Sequence, residues 1–270
     1  MGEGIMNITM LGTGNALTTE CYNTCFVLSD NGQNFLVDTG GGNGILHQLK
    51  HAGFSLTDIH DVFISHTHID HILGAVWLIR ISAQRMNKGL FPGDVNIYGH
   101  DEVTTLVDEL ARRLLLPYQY DFVGRRIHLH TVSSSEIRSI IGHEVMFWDI
   151  NSPRTKQFGF TMDYGGGRLA FCGDEPCKPE CECYVAGCEW MMHEAFCLHS
   201  EAGRFSPYEK NHSTVKDACM TAQRFGVKNL ILYHTEDSDL ARRKERYTAE
   251  GSQYYSGNIF VPDDLETITI

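Results

Sequence analysis

The sequence predicts an α/β fold in which two strand-rich halves each carry flanking helices. Short apolar runs rich in β-branched residues, such as Val62 to Ile64 and Asn229 to Tyr233, have the length of buried strands. Amphipathic stretches with helix start and stop signals, such as 74–85 and 102–115, lie between such strands. Polar side chains able to bind a ligand follow several of the strands, so the chemistry is expected at strand ends within one domain spanning residues 1–270.

The first half opens with a predicted strand from Ile5 to Leu11 that runs into a turn at Gly12-Thr13-Gly14. A hairpin follows, with strands 25–28 and 34–37 around Asn31-Gly32. Its second strand ends at Asp38, for which two interpretations stay open. Asp38 either caps a helix predicted at 43–51 or accepts a hydrogen bond from a metal-binding histidine and fixes its tautomer.

The second half contains the remaining predicted strands, at 145–152, 168–172, 189–193, 229–233, 258–261 and 265–270. Two helices separate the later strands: one opens near His212 and runs to Phe225, and the other starts at Arg242. Ser213 is the predicted N-cap of the first of these helices, because its hydroxyl can accept from a first-turn amide.

Composition narrows the class of protein. The chain has 270 residues, 42% of them hydrophobic, and a formal net charge of −12. It has no apolar run near the ~18 residues that a membrane span needs and no basic and apolar leader, so we expect no membrane partner. Nine cysteines, an odd number, favour reduced thiols in the cytoplasm. The acidic charge repels polyanions at long range, so we do not expect a large nucleic-acid partner.

The most informative stretch is residues 62–74, in which a short strand leads to His66, His68, Asp70 and His71. We expect these four side chains on the loop that leaves the strand, ahead of the next helix. Imidazole and carboxylate are ligands for borderline divalent metals such as Zn²⁺, and four of them in six residues exceed what one tetrahedral ion takes easily. Two ions would use them all. The alternative is a histidine-rich surface loop that binds no metal.

This His-x-His-x-Asp-His motif resembles the signature of the metallo-β-lactamase superfamily. The resemblance implies a four-layer αββα sandwich. It also implies that His66 and His68 bind one metal, while Asp70 and His71 bind a second. The Leu-Gly-Thr-Gly phrase that ends at Gly14 is similar to the N-terminal strand of ribonuclease Z-like members.

The same resemblance implies further ligands. Asp174, which follows Gly173 after a strand, matches the carboxylate that bridges both metals, and His234 matches the last ligand of metal two. A histidine near the end of the 145–152 strand completes metal one in the family, but Asn151 and a serine occupy that place here. Asparagine is a weak zinc ligand, so the first site is expected to be weak unless His143 reaches it.

Two further phrases, His-Glu-Ala with Glu194 and His-Ser-Thr with His212, resemble the catalytic dyad of ribonuclease Z-like enzymes. By that resemblance Glu194 orients His212, which gives a proton to the leaving alkoxide. Asp70 would orient the attacking water. The dyad favours phosphodiesters over β-lactams or glyoxalase substrates.

The resulting hypothesis is a metal-dependent hydrolase that cleaves a small phosphodiester with two divalent ions, zinc being favoured over manganese or iron. Ribonuclease Z itself carries a long basic arm that clamps tRNA, whereas only 158–171 separates the corresponding strands here, with Arg168 as the single basic residue. Alternatives are a lactone or carboxylic ester hydrolase and a non-catalytic metal-binding protein. A structural zinc at Cys177, Cys181 and Cys183 is a further alternative. A homodimer is a candidate assembly, although no residue pattern indicates one.

Overall fold

A computed structural model describes residues 6–165 and 167–270 of the chain. Ile5, the expected start of the first strand, lies outside the described residues. In chain order the strands are β1 (Asn7–Gly12), β2 (Cys25–Asp30), β3 (Gln33–Val37), β4 (Asp61–Phe63), β5 (Val95–Gly99), β6 (Ile127–Thr131), β7 (Ile137–Ile140), β8 (His143–Asp149), β9 (Phe158–Tyr164), β10 (Gly167–Phe171), β11 (Trp190–Glu194), β12 (Asn229–Tyr233), β13 (Asn258–Phe260) and β14 (Thr267–Thr269). Over the two described ranges they form two seven-stranded sheets, ordered β14-β1-β2-β3-β4-β5-β6 and β13-β12-β11-β10-β9-β8-β7.

The helices connect strands within each half. They are α1 (Gly44–His51), α2 (Ile69–Asn87), α3 (Asp101–Leu114), α4 (Pro117–Tyr120), α5 (Glu182–Val185), α6 (Ala202–Phe205), α7 (Val215–Phe225) and α8 (Leu240–Gly251). Single 3₁₀ turns occur at Leu56–Asp58, Pro179–Cys181, His199–Glu201 and Tyr208–Lys210. No helix within the described ranges is long and apolar enough to cross a membrane.

The two sheets pack face to face through aromatic side chains. Phe26 of the first sheet lies 5.3 Å from Phe171 of the second, and Phe63 lies 5.0 Å from Phe147, between ring centroids. Such edge and tilted contacts are favourable arrangements for aromatic rings. Separate apolar clusters bury α1, α2 and α3 on the outer face of the first sheet and α7 on the outer face of the second. The predicted four-layer αββα sandwich is therefore confirmed.

Parallel pairing brings the ends of the central strands together. In the first sheet β3 to β6 run parallel, and Val37 lies opposite Phe63, so Asp38 and the motif after β4 begin side by side. In the second sheet β10 to β13 run parallel, with Glu194 opposite Tyr233. Ligands bind outside the carboxyl ends of parallel strands in α/β proteins, and here both sheets direct these ends to one edge of the sandwich.

The prediction that the whole His/Asp cluster lies on a loop is wrong for Asp70 and His71. Both residues belong to the first turn of α2, for which His68 is the N-cap. A carboxylate in a first turn is stabilised by the helix dipole, so the motif itself supports the earlier start. Gly74 allows α2 to approach closely, because a Cβ there would lie 1.9 Å from the carbonyl oxygen of Thr39.

The start of α7 also differs from the prediction. Thr214, not Ser213, is the N-cap, and it forms a reciprocal capping box with Asp217. The Asp217 carboxylate accepts from the Thr214 amide at 2.9 Å, and the Thr214 hydroxyl accepts from the Asp217 amide at 3.4 Å. Reciprocal capping satisfies amides that a serine one residue earlier would leave unpaired.

Candidate metal centre

The first pair of predicted ligands lies on the segment between β4 and α2. Nε2 of His66 and Nδ1 of His68 are 2.8 Å apart, and His66 is fully buried. The other nitrogen of His68, Nε2, lies 3.1 Å from the hydroxyl oxygen of Thr155. These contacts leave Nε2 of His66 and Nδ1 of His68 facing each other, as two nitrogens sharing one ion would.

The second group of ligands surrounds Asp70. Its Oδ2 lies 3.3 Å from Nε2 of His71 and 3.6 Å from Nε2 of His234. Asp174 sits between the two groups, because its Oδ2 lies 3.4 Å from Nε2 of both His66 and His71 and 3.5 Å from Nε2 of His234. Two ligand atoms bound to one tetrahedral zinc are roughly 3.3–3.6 Å apart, given metal–ligand distances of about 2.0–2.2 Å. The spacing therefore fits divalent metal binding, with Asp174 placed between the two groups.

Several nitrogen and oxygen atoms of these side chains are buried without a hydrogen-bond partner among the described residues. Such atoms are what a metal site would leave when no ion is bound. Nε2 of His71, Nε2 of His234 and Oδ1 of Asp174 have no hydrogen-bond partner among the described residues. Burying an unsatisfied polar atom costs free energy, typically about 1–3 kcal/mol. A divalent ion would satisfy these atoms at once, so the donor set fits such an ion.

Asp38 orients a ligand histidine in each group. Its Oδ2 accepts from Nδ1 of His71 at 2.8 Å, so the neutral ring would keep its proton on Nδ1 and offer Nε2 to a metal. It also accepts from the hydroxyl of Ser65, at 2.8 Å from Oδ2, and from the Ser65 amide. Because that hydroxyl donates to Asp38, it accepts from Nδ1 of His66 at 2.9 Å. Of the two sequence interpretations of Asp38, the structure shows the hydrogen-bond partner.

The electrostatics of the group favour ionised carboxylates. Burial alone would raise the pKa of Asp174, but the neighbouring His66 and His71 hold it well below its usual value. Burial opposes ionisation of Asp70 as well, yet His71 and His234 lower its pKa. Burial would lower the pKa of His71, but the charges of Asp70 and Asp38 outweigh burial and raise it well above the ordinary histidine value. Before a metal binds, the site is thus held together by carboxylate and imidazolium charges.

His212 and Glu194, the proposed dyad, lie beside the second group. Nδ1 of His212 is 3.7 Å from Oε2 of Glu194, and it donates instead to the backbone carbonyl of Asp174 at 2.9 Å. The other Glu194 oxygen accepts from the Ser213 amide. Burial, together with the charge of His234, lowers the pKa of His212 to about 4, while burial raises the pKa of Glu194 well above its usual value.

A cavity of about 350 Å³ opens onto both groups. Its walls include Phe196 and Lys210, whose Nζ lies 4.7 Å from the centre of the Phe196 ring. Leu17, 82% exposed, and Ile69, 66% exposed, line its rim. Sequence reasoning missed this wall because Leu17, Phe196 and Lys210 stand outside the ligand and dyad positions, and Ile69 occupies a variable position of the His-x-His-x-Asp-His motif. The only available signal was position, since Phe196 and Lys210 each stand two residues from a member of the dyad.

Neither candidate for the third ligand of metal one reaches the centre. Asn151 is exposed and its side-chain amide donates to the Asp149 carbonyl, and Nε2 of His143 lies 2.8 Å from the Asp30 carboxylate. A structural zinc has no geometric support either. Cys183 is exposed while Cys177 is buried, and no three-residue metal-ligating group among the described residues contains a cysteine.

Comparison with known proteins places the chain in a family. Residues 6–248 match the family model described as anti-Pycsar protein Apyc1. The chain belongs to this family. Among curated proteins, this anti-Pycsar family member is 23% identical to ribonuclease Z of Mycobacterium marinum over 98% of its own length and 99% of the relative. It is 23% identical to ribonuclease Z of Prochlorococcus marinus, with 96% and 91% of the two chains covered.

Solved structures agree on the fold. The Apyc1 family chain superposes on the metallo-β-lactamase fold protein YhfI from Bacillus subtilis with a TM-score of 0.80, 15% identity and 98% and 100% coverage of the two chains. Human tRNase Z, short form, gives 0.73 and 19% identity, with 97% and 98% coverage. The predicted ribonuclease Z-like relationship within the metallo-β-lactamase superfamily is confirmed, and with it the class of metal-dependent hydrolase. Zn²⁺-bound PqqB from Methylobacterium extorquens is a further neighbour, at a TM-score of 0.74.

Proposed function

We propose that the protein hydrolyses small phosphodiesters with two divalent ions held by His66, His68, Asp70, His71, Asp174 and His234. The observation that carries this proposal is Asp174, whose Oδ2 lies within 3.5 Å of ligand nitrogens from both groups. When bound, such ions lower the pKa of a coordinated water and polarise the scissile phosphoryl group. The relatives named ribonuclease Z and the solved diphosphatase of the PhnP family support phosphate chemistry.

The protein's own residues supply orientation and a proton. Asp70, ionised and held by His71 and His234, is the group we assign to orient the attacking water. His212 donates from Nδ1 to the Asp174 carbonyl, which fixes that proton and leaves Nε2 as the atom that can gain one. With its pKa near 4, His212 is neutral until an anionic phosphodiester arrives, and a nearby negative charge then favours its protonated form.

Glu194 orients His212 in this proposal, because it lies on the Nδ1 side of the ring, whereas Nε2 gains its proton from solvent. Burial holds the pKa of Glu194 high, so its carboxyl keeps a proton that His212 does not. Oε2 of Glu194 is 3.7 Å from His212 and has no hydrogen-bond partner among the described residues. His212 would then pass the proton that Nε2 takes from solvent to the leaving alkoxide, beside the second metal group.

The size of the substrate follows from shape and charge. The cavity of about 350 Å³ accommodates a small organic phosphate, and its rim is apolar at Leu17 and Ile69. Residues 158–171 stand where ribonuclease Z would carry its basic arm and include Arg168 as their single basic residue, and the chain carries a net charge of −12. A single arginine in that segment does not offset the long-range repulsion between this acidic protein and a polyanion such as tRNA.

A substrate panel tests this function. The protein, dialysed and reloaded with Zn²⁺ or Mn²⁺, should hydrolyse bis-p-nitrophenyl phosphate and a 3′,5′-cyclic mononucleotide, and should leave a tRNA precursor intact. An Asp174→Asn variant should lose this activity, whereas Asn151→Gly, altered at an exposed residue outside the centre whose left-handed backbone suits glycine, should keep it. Hydrolysis of p-nitrophenyl acetate or a lactone without any diester turnover would point to the ester hydrolase instead. Metal binding without turnover of any substrate would point to the non-catalytic protein.

A further inference from the structure

A third set of metal-ligating side chains lies next to the second metal group and shares His234 with it. Glu194 ends β11, His234 follows β12, and His212 lies shortly before α7. One ligand atom from each of these three residues lies within 4.8 Å of the ligand atoms of the other two. Small side-chain movements would reduce that spacing to the roughly 3.3–3.6 Å between ligands of one tetrahedral zinc.

The pairing of two central strands fixes this set. Strands β11 and β12 run parallel with Glu194 opposite Tyr233, so Glu194 and His234 leave neighbouring strands one residue apart. Both side chains are buried. The ring of His212 packs against that of His234, with 5.1 Å between the ring centroids, and Nδ1 of His212 lies 3.7 Å from Oε2 of Glu194. The three residues therefore converge within the fold and not on a solvated surface.

Two atoms of this set are buried without a hydrogen-bond partner among the described residues. They are Oε2 of Glu194 and Nδ1 of His234. The other ring nitrogen of His234, Nε2, faces Asp70 and Asp174 of the metal centre, so Nδ1 is the nitrogen that remains. A histidine that binds a metal almost always donates its second ring N–H to a carboxylate, a carbonyl or water. Within the described ranges Nδ1 of His234 has no such acceptor, and a cation would satisfy it together with Glu194.

We propose that Glu194, His212 and His234 bind a third divalent ion, and that Zn²⁺ bound there inhibits hydrolysis. This inference rests on the proposed metal centre and on the role proposed for His212. Two imidazoles and one carboxylate are a zinc ligand set, whereas Mg²⁺ prefers oxygen ligands. With an ion on the dyad, His212 can no longer pass a proton to the leaving alkoxide.

The third ion should bind more weakly than the second. It has three protein ligands, whereas four are available to the second ion, and one of the three is shared. A neutral imidazole carries one N–H, so a His234 ring that binds both ions must give up that proton. The third ion therefore binds only at free Zn²⁺ concentrations above those that fill the second site, and inhibition should appear only there.

Equilibrium dialysis at a series of buffered Zn²⁺ concentrations, followed by elemental analysis, measures this site without turnover. Wild-type protein should show a separate, weaker binding step after the metal centre is filled. Glu194→Gln preserves the size of the side chain and an oxygen for the Ser213 amide but removes the ligand charge. It should weaken that step by at least ~10- to 100-fold, the loss typical of an outer-shell partner alone, and leave the tighter steps unchanged.

Glu201→Gln is the matched control. Oε2 of Glu201 is also buried without a hydrogen-bond partner among the described residues, but Glu201 belongs to none of the metal-ligating groups found there. This variant should keep the weaker step. If Glu194→Gln does not fold, His212→Ala removes a different ligand of the same ion and gives the same comparison.

Inhibition has its own signature. Excess Zn²⁺ should slow hydrolysis of a 3′,5′-cyclic mononucleotide more than that of bis-p-nitrophenyl phosphate, whose leaving oxygen needs no proton. Equal inhibition of the two substrates would show that the inhibitory ion does not act on the dyad. The same concentration of Mg²⁺ should inhibit neither reaction.

The site itself is rejected if wild-type protein has no Zn²⁺-binding step that Glu194→Gln, or His212→Ala in its place, weakens. Failure of the proposed metal centre gives another pattern, in which the Glu194-dependent step remains and the tighter steps are missing. Failure of the proposed hydrolysis gives a third, with all the binding steps present and no diester cleaved. The binding measurement thus separates this inference from the proposed function.

Discussion

Replacing Asp38 by Asn should weaken both metal sites at once. Asp38 bonds directly to Nδ1 of His71 and, through the Ser65 hydroxyl, to Nδ1 of His66. An asparagine has one acceptor oxygen in place of two. With that oxygen accepting from the Ser65 amide, its NH₂ group faces Nδ1 of His71 and cannot accept from it. That proton is then driven to Nε2 of His71, the atom that would bind the metal. Asn also tolerates the left-handed backbone at this position, φ 57°, so strain does not confound the comparison.

The magnitude follows from the contacts. Loss of such an outer-shell partner costs 10- to 100-fold in metal affinity, which corresponds to about 1.4–2.8 kcal/mol of binding free energy. The free energy of unfolding of the metal-free protein should fall by about 1–3 kcal/mol, because a buried donor loses its acceptor. Isothermal titration with Zn²⁺ and urea unfolding with chelator measure the two quantities separately.

Two matched variants sharpen the experiment. Ser65→Ala interrupts only the path to His66, so it should weaken the first ion and spare the second. Asp30→Asn removes a second Asp–His contact, also 2.8 Å long, at the other end of the β2–β3 hairpin, and should leave both metal affinities unchanged. If Asp38→Asn folds and binds both ions as tightly as wild type, Asp38 does not orient the ligands and the reasoning fails.

Three further predictions concern the same centre. His234→Ala should remove one ion per chain and abolish hydrolysis, and an unchanged ion count by elemental analysis would reject its assignment. His212→Ala should slow diesters with alkoxide leaving groups by roughly 10²–10⁴-fold but barely affect p-nitrophenyl diesters, and equal losses on both would exclude a general acid. Without metal, thermal stability should rise as the pH passes upward through the ordinary carboxylate range near ~4, because Asp70 and Asp174 have lowered pKa values. It should fall again above ~6.5 as His71, whose pKa is raised, loses its proton, and a stability that keeps rising there would contradict this assignment.

Much of the fold was predictable because local signals and tertiary packing agree. The apolar run at 229–233 is a fully buried parallel strand, and its period and composition already indicated one. Helix starts were less predictable. Thr214 rather than Ser213 is the N-cap of α7, because Asp217 stands three residues after Thr214 and completes a reciprocal capping box. The helix α2 begins before the His/Asp motif ends, because the first turn of a helix favours a carboxylate such as Asp70.

The candidate metal ligands could be proposed from the sequence because four of them stand in one short motif. His66 to His71 form a contiguous pattern whose chemistry is visible in the sequence alone. Phe196 and Lys210 form no such pattern and come together only where separate segments meet around the cavity.

The distribution of ligands over both sheets links metal occupancy to the cooperativity of unfolding. His66 to His71 follow a strand of the first sheet, whereas Asp174 and His234 follow strands of the second. Ions bound between them act as cross-links at one edge of the sandwich, and each site would add about 2.7 kcal/mol to stability at a free ion concentration of 100 Kd. A chelator therefore acts as a selective denaturant of that edge, and backbone amides near the carboxyl ends of β4, β10 and β12 should be the first to lose protection from hydrogen exchange.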